Sequence, residues 1–393
     1  MPQYFTDLHI HIGATAGGQP VKMATARNLT VENILSECCC RKGIEIAGLV
    51  DCLQTGVLDD LTELVRSGRL TQLDGGGLSW RGRVTLLPGA ELETKDAGGC
   101  RAHYLVFLPD LAALRDMHVF MRRQIKNIDV AAQMCRLTPE ELLAAALDRG
   151  GFFLPAHVFT PFKSLYGKCA DRLSDIFSPA AGAAIPAVEL GLSADTALAD
   201  TIGELSAYSF LANSDAHSLP IIGREYNVLE LKAPTFAEVR LALERKAGRR
   251  ILANYGLNPR LGKYHRTFCN DCGRVAAAAA PVRACEFCGS RNIVFGVLDR
   301  IAEIRDRPEP LHPAWRPPYR HQIPLAYIPG VGPKTIDRLL AAFGSEMAVL
   351  HEAPAEELRR VVGEKTGEMI CRARAGKLGL KVGGGGTYGK MDV

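Results

Sequence analysis

From residue 1 to about 245 the chain alternates short apolar runs with stretches of helical periodicity. The runs at 44–51 (IEIAGLVD), 83–91 (RVTLLPGAE), 102–109 (AHYLVFLP), 150–159 (GGFFLPAHVF), 184–191 (AIPAVELG) and 205–217 (LSAYSFLANSDAH) predict buried parallel strands. A strand covered on both faces reads as a continuous hydrophobic stretch rather than an alternating one. Helical segments separate the runs. TPEELLAAALDRG at 138–150 opens on a threonine cap, a proline in the first turn and early carboxylates, which is how helices begin. Repeated strand–helix units imply an α/β fold, a closed or distorted barrel. Chemistry in such barrels sits where strands end, and there Asp51, Glu91, His157, Glu189, Asp215 and His217 recur.

Beyond 245 the texture changes to glycine, arginine and paired cysteines, then to a proline-rich stretch and a helical pattern. The expected division is a barrel over 1–245, a basic zinc-binding domain over 246–306, an extended linker over 307–324, a small all-α domain over 325–380 and a tail over 381–393. The tail GGGGTYGKMDV is expected to be flexible, with backbone capture of a phosphate as the alternative.

The 393 residues, 47% hydrophobic and 23% charged, suit two or three compact units. No window reaches the roughly 18 uninterrupted apolar residues of a membrane span, and the start, MPQYFTDLHIHIG, lacks a secretory pattern. A cytoplasmic, nucleoid-associated protein is expected, with its twelve cysteines as thiols or metal ligands rather than disulfides. The formal charge of +4 hides an asymmetry. Residues 1–244 carry 22 Lys and Arg against 29 Asp and Glu, net −7, whereas residues 245–292 carry 10 against 2, net +8. A polyanionic partner for the basic end follows, or else a solvated basic face.

Asp7-Leu-His9-Ile-His11 sets two imidazoles two residues apart on a strand, on one side, where both reach one ion. Glu91, His103, His157, Asp215 and His217 add further ligands. Together these residues resemble the polymerase-and-histidinol-phosphatase (PHP) superfamily of phosphoesterases. That resemblance implies a distorted (β/α)7 barrel with two or three catalytic divalent metals (Zn, Mn, Mg or Fe), and His9, His11, Glu91, His157, Asp215 and His217 as the catalytic set. His103 resembles the superfamily's additional histidine. Where the superfamily has Asp-His, this chain has Asp51-Cys52. Asp51 then serves as a carboxylate ligand, Cys52 favours zinc, or fewer metals bind. Arg224 is a phosphate contact or a surface ion pair.

Cys269-x-x-Cys272 and Cys285-x-x-Cys288 are two knuckles twelve residues apart, the spacing of a closed structural zinc site. Basic residues flank it, among them Lys263 and Arg266, placed to meet phosphates. IPGVGPKT at 328–335 looks like a helix-hairpin-helix motif: Gly330 and Gly332 make the turn, backbone N–H groups and Thr335 face a phosphate, and Lys334 adds charge. A second copy is read at 362–367, VGEKTG.

Barrel, four-cysteine zinc ribbon and hairpin region, in that order, resemble the endonuclease Q family. The segments SDAHSLPIIGRE (214–225) and VELGLSAD (188–195) and the glycine-rich tail carry the likeness. It implies a DNA-repair endonuclease, acting on damaged double-stranded or single-stranded DNA, that hydrolyses the bond 5′ to deaminated bases (hypoxanthine, uracil) and abasic sites with a metal-activated hydroxide. A replication or repair protein would be a further partner. The loop FTPFKSLYG (159–167) is a pocket wall, through Phe159, Phe162, Tyr166 and Lys163, or a hydrophobic lid. Three rivals stand beside this reading: a small-phosphoester hydrolase, a nuclease without lesion specificity, and a DNA-binding scaffold with an inactive barrel.

Overall fold

The computed structural model describes residues 1–131 and 134–392. Strands β1 (Gln3–Ile10), β2 (Ile46–Leu49), β3 (Leu70–Gln72), β4 (Leu78–Trp80), β5 (Val84–Lys95), β6 (Arg101–Phe107), β7 (Phe152–Pro155), β8 (Ala187–Glu189) and β9 (Ser209–Leu211) form the first part. Helices α1 (Val31–Glu37), α2 (Thr55–Arg66), α3 (Leu111–Met121), α4 (Pro139–Leu147), α5 (Pro179–Ala184) and α6 (Thr196–Ala199) lie between them. α4 starts as its sequence requires, with Thr138 and Glu141 forming a reciprocal capping box.

Seven of these strands close a distorted barrel. β2 runs parallel to β1 and to β5, β6 joins β5 and β7, and β8 pairs with β9. Val158 N–H donating to Glu189 O (2.9 Å) links β7 to β8, while His11 N–H to Ala216 O and Ala216 N–H to His9 O (both 3.0 Å) return the chain from β9 to β1. Each strand sends one residue into a common core: Leu8, Ile46, Leu87, Leu105, Leu154, Ala187 and Leu211 are all fully buried. Such a ring gains about 2 kcal/mol for each large aliphatic side chain it buries. The strands are not uniformly parallel as the apolar runs predict. β6 is antiparallel to both neighbours, because only residues 96–100 connect it to β5 and a parallel crossover needs a dozen or more.

The outer sheet adds one strand from within the expected barrel and two from beyond its boundary. β10 (Tyr226–Glu230) pairs with β1, and after α7 (Phe236–Leu243), β11 (Arg250–Gly256) pairs with β10. The ribbon contributes β12 (Phe268–Cys269) and β13 (Ile293–Val294), then α8 (Val297–Ile304). β14 (Tyr319–His321), inside the predicted linker, adds to β11. That linker is anchored. Buried Arg316 makes a two-pronged contact with buried Asp200 and lies over the Phe210 ring at 3.4 Å, so an Arg–carboxylate fork pins a proline-rich path that lacks backbone donors.

The C-terminal helices are α9 (Pro333–Phe343), α10 (Glu346–His351), α11 (Ala355–Val362) and α12 (Glu364–Arg374). They dock on the barrel through a buried Lys42–Glu346 ion pair (2.9 Å) and a Tyr226 Oη–His351 Nε2 hydrogen bond (2.7 Å). The tail, expected to be flexible, folds back as a hairpin of β15 (Gly379–Lys381) and β16 (Lys390–Asp392). Among the described residues no helix is long and apolar enough to cross a membrane.

Candidate metal centre and its pocket

β1 delivers His9 and His11, β5 carries Glu91 past the end of β2, β6 supplies His103, and the segments after β7 and β9 supply His157 and Asp215. Their ligand atoms fall into two triads, His9–His11–Asp215 and Glu91–His103–His157, each within 4.8 Å. Glu91 joins them. Oε1 lies 2.7 Å from His103 Nδ1, 3.3 Å from His157 Nε2 and 3.7 Å from His9 Nε2, and Oε2 lies 3.7 Å from His11 Nε2. His157 (φ 30°) and Asp215 (φ 47°) both hold left-handed backbone, strain that persists where surroundings over-determine a functional conformation.

These residues fit metal ions. Both nitrogens of buried His103 lack a hydrogen-bond partner although Nδ1 stands 2.7 Å from a carboxylate oxygen, and the Nε2 atoms of His9 and His11 are 3.3 Å apart. Nitrogen and carboxylate donors thus crowd towards a common point, as ligands around a cation do. Electrostatics agree. Burial opposes charge on His9, yet Glu189, Asp215 and Glu91 raise its pKa to about 10, so the cavity favours positive charge. His217 is driven the other way, to about 4, by burial and then by His11, which keeps its imidazole neutral. It lies beside His11, ring centroids 4.5 Å apart, outside both triads.

Asp51 does not take the ligand position expected of it. Its Oδ2 accepts from His11 Nδ1 (2.9 Å) and from Ile12 N–H (2.8 Å), so it orients the imidazole from behind. Cys52 is also committed: its buried thiol donates to Leu49 O at 3.2 Å. Two further residues escaped the motifs. Glu189 holds His9 Nδ1 and the His157 amide at 3.0 and 2.8 Å; its place at a strand end was the available signal. Lys22 Nζ stands 2.8 Å from both Glu91 Oε2 and His11 Nε2, and nothing in its own segment announces that role.

A pocket of about 160 Å³ opens beside the triads, bordered by His157, Ser193, Asp215, Lys263, Tyr264 and Tyr388. Phe159 and Tyr166 do not line it. They stack on each other at 5.6 Å and are buried, so that part of the loop is core. Phe162 is exposed and edges onto Tyr264, while Lys163 pairs with Glu93 at 2.7 Å. The loop is tethered by a Cys100–Cys169 disulfide, contrary to the expectation of thiols or metal ligands; the two residues lie 69 positions apart, so spacing could not pair them.

No protein-family model matches the chain. It is 49% identical over 393 residues to the uncharacterized protein YqxK of Bacillus subtilis, covering 100% of each, and 38% identical over 254 residues to an uncharacterized Methanocaldococcus jannaschii protein, covering 60% of this chain and 31% of that one. Its fold superposes at a TM-score of 0.84 on the lesion-specific endonuclease PfuEndoQ of Pyrococcus furiosus, with 32% identity across 100% of this chain and 96% of that one. The chain belongs to the endonuclease Q family. As a member it is an endonuclease, built on the distorted barrel described above. A second solved endonuclease Q, in complex with a 27-mer duplex carrying an abasic lesion at the active site, matches equally well, at 0.84 and 32% identity over 97% of its length.

The distal modules also take shape. The four ribbon sulfurs converge, with Cys269–Cys288 at 3.7 Å and Cys272–Cys285 at 3.5 Å, near the about 3.8 Å edge of a tetrahedron with 2.3 Å Zn–S bonds. Gly273 and Gly289 follow the knuckles with φ of 70° and 75°, which side chains resist. Arg266 is not free for DNA: it grips buried Asp299 at 3.2 Å. Arg224 is buried too, its Nε donating to Ser214 O at 2.8 Å, and is neither a surface ion pair nor a duplex-facing group. At the first expected hairpin Gly330 takes φ 86° and Gly332 opens α9, preceded by a single tight turn at Leu325–Tyr327. The second is shorter than read. α12 begins at Glu364, and Gly367 is a packing residue whose Cβ would stand 2.7 Å from Arg359 Cα.

Proposed function

We propose that the protein is a DNA-repair endonuclease that hydrolyses the phosphodiester 5′ to deaminated bases (hypoxanthine, uracil) and to abasic sites. The observation that carries this reading is the pair of ligand triads bridged by Glu91 at 3.7 Å, beside a pocket of about 160 Å³, in a chain alike over its whole length to an endonuclease solved with an abasic lesion at its active site. His9, His11 and Asp215 would hold one divalent ion and Glu91, His103 and His157 another, with His217 at the rim. Bound ions supply Lewis acidity, neutralising phosphoryl oxygens and acidifying a water. The chain does the rest. Asp51 and Glu189 fix the rings of His11 and His9, Lys22 balances the carboxylate charge of Glu91, and the pocket receives a nucleotide whose extrusion is cheap where pairing is already weak.

The distal modules hold the duplex by its backbone. α9 and α12 begin at Gly332 and Gly363 with no side-chain cap, which leaves first-turn N–H groups for phosphates. The two starts adjoin: a Cβ on Gly330 would lie 3.7 Å from Thr366 Oγ1. Exposed Lys334 and half-buried Thr335 lie in the first turn of α9. The ribbon quartet binds a structural zinc.

The test is an incubation of the protein and Mn or Mg with end-labelled duplexes carrying one hypoxanthine, uracil, abasic site or no lesion. A single nick 5′ of each lesion, abolished by Asp215→Asn, is expected. Equal cutting of intact duplex, ladders from an end, or no cutting would select an unspecific nuclease, an exonuclease or a scaffold instead.

A further inference from the structure

The glycine-rich C-terminal segment is the one sequence motif that this chemistry leaves unused. Its hairpin is stitched to the loop at 260–263: Gly383 N–H donates to Arg260 O (2.8 Å), Gly389 N–H to Leu261 O (2.9 Å) and Gly386 N–H to Lys263 O (3.3 Å). A side chain at Gly383 would meet the carbonyls of Leu261 and Gly262 at 2.8 Å, so the approach requires glycine.

That docking seats Tyr388 in the wall of the catalytic pocket, beside His157 and Asp215. Two cations hold it. Lys263 Nζ lies 4.6 Å from the ring centroid, and Arg224 reaches the ring at 5.5 Å while its Nη1 donates to Tyr388 Oη at 3.0 Å. Through Nε, Arg224 also binds Ser214 O, the residue before the ligand Asp215. A tyrosine suits this place because its face attracts cations while its hydroxyl accepts a hydrogen bond. Removing it would leave Arg224 and Lys263 without their shared partner.

We propose that the C-terminal hairpin is a strap completing the nucleotide pocket, with Tyr388 as the positioning residue that fixes Lys263 in the pocket wall and, through Arg224, braces the Ser214–Asp215 turn. The proposal rests on the nuclease reading above and adds a pocket wall from the far end of the chain. A nucleotide entering the pocket meets a ring already held by two cations, and its phosphate meets Lys263 with little freedom left to lose.

The experiment compares full-length wild type, Tyr388→Ala and Tyr388→Phe in single-turnover nicking of an abasic-site duplex, with metal content and trypsin sensitivity of the tail measured on each. Tyr388→Ala is expected to lower kcat about 100-fold, the scale of a misplaced catalytic group, with KM within about threefold because other modules hold the duplex. Tyr388→Phe keeps the ring, loses the Oη bond, and should fall only about tenfold. Metal content should stay constant, and the tail of Tyr388→Ala should be cut faster than that of wild type. Wild-type turnover in Tyr388→Ala, or loss of metal along with activity in both variants, overturns the positioning role. If wild type nicks no lesion, the nuclease reading fails instead, and the strap is judged by trypsin alone: equal cleavage of wild type and Tyr388→Ala overturns it.

Discussion

The barrel centre and the zinc ribbon each bring ligand atoms within 4.8 Å of one another, yet they are assembled in opposite ways. The ribbon draws its cysteines from one segment, 269–288, on two tight turns, and two of the four are exposed. The barrel triads draw on positions from 9 to 215, and their histidines and Glu91 are buried or nearly so. One site is closed by local backbone geometry and can form with little else folded. The other exists only once seven strands have met. Four thiolates would leave a ribbon ion no open position, whereas the barrel ligands would leave room for water and substrate.

The largest expected effect tests whether Glu91 unites the two triads. Glu91→Gln should reduce nicking by about three orders of magnitude or more and strip ions from the barrel while leaving one zinc per chain; elemental analysis that finds the barrel ions retained would break the contrast between a shared and a local site. Next comes Cys272→Ser, which should release the ribbon zinc, lower duplex affinity and cost several kcal/mol of ribbon stability, with the barrel's metal content intact. Loss of barrel ions as well would mean that the two regions fold as one unit.

The smallest effect concerns how each region treats a buried carboxylate. Asp299 of the ribbon accepts from the Thr267 and Val282 amides and from Arg266. Glu225 of the barrel accepts from Leu257 N–H, but its Oε2 has no partner. Burial pushes its pKa up to about 8 from an ordinary 4.5, so the folded chain keeps a proton that the unfolded chain releases. Its stabilising contribution is complete below about pH 4.5 and drains away as pH rises towards 8. Glu225→Gln, which keeps the shape without the proton, should flatten that part of the Tm–pH profile; an unchanged slope would show that Glu225 is already ionised.

Legibility followed the same division. The ribbon could be read from spacing, and the capping box of α4 and the alternation of His9 and His11 could be read from local rules, because each depends on residues within a turn or two. The ligand types of the barrel were visible as a recurrence of His, Asp and Glu at strand ends. Their grouping was not. Asp51 looked like a ligand because of where it falls in the chain, and it became an orienting group only because His11 Nδ1 lies against it. Lys22 and Tyr388 carry no local mark at all, the one between β1 and α1 and the other in a run of glycines.

By itself, then, the amino-acid sequence determined residue chemistry, the strand–helix rhythm, the closed cysteine quartet and the likeness to a nuclease family. The tertiary structure alone decided which ligand atoms converge, that Glu91 lies between the two triads, that Arg266 grips Asp299 instead of facing outward, and that the tail returns to the pocket. The reason is physical. Periodicity and spacing report interactions whose partners are near in the chain, whereas the field at a catalytic centre is set by groups as much as 200 or more residues apart, and their proximity is a consequence of barrel closure.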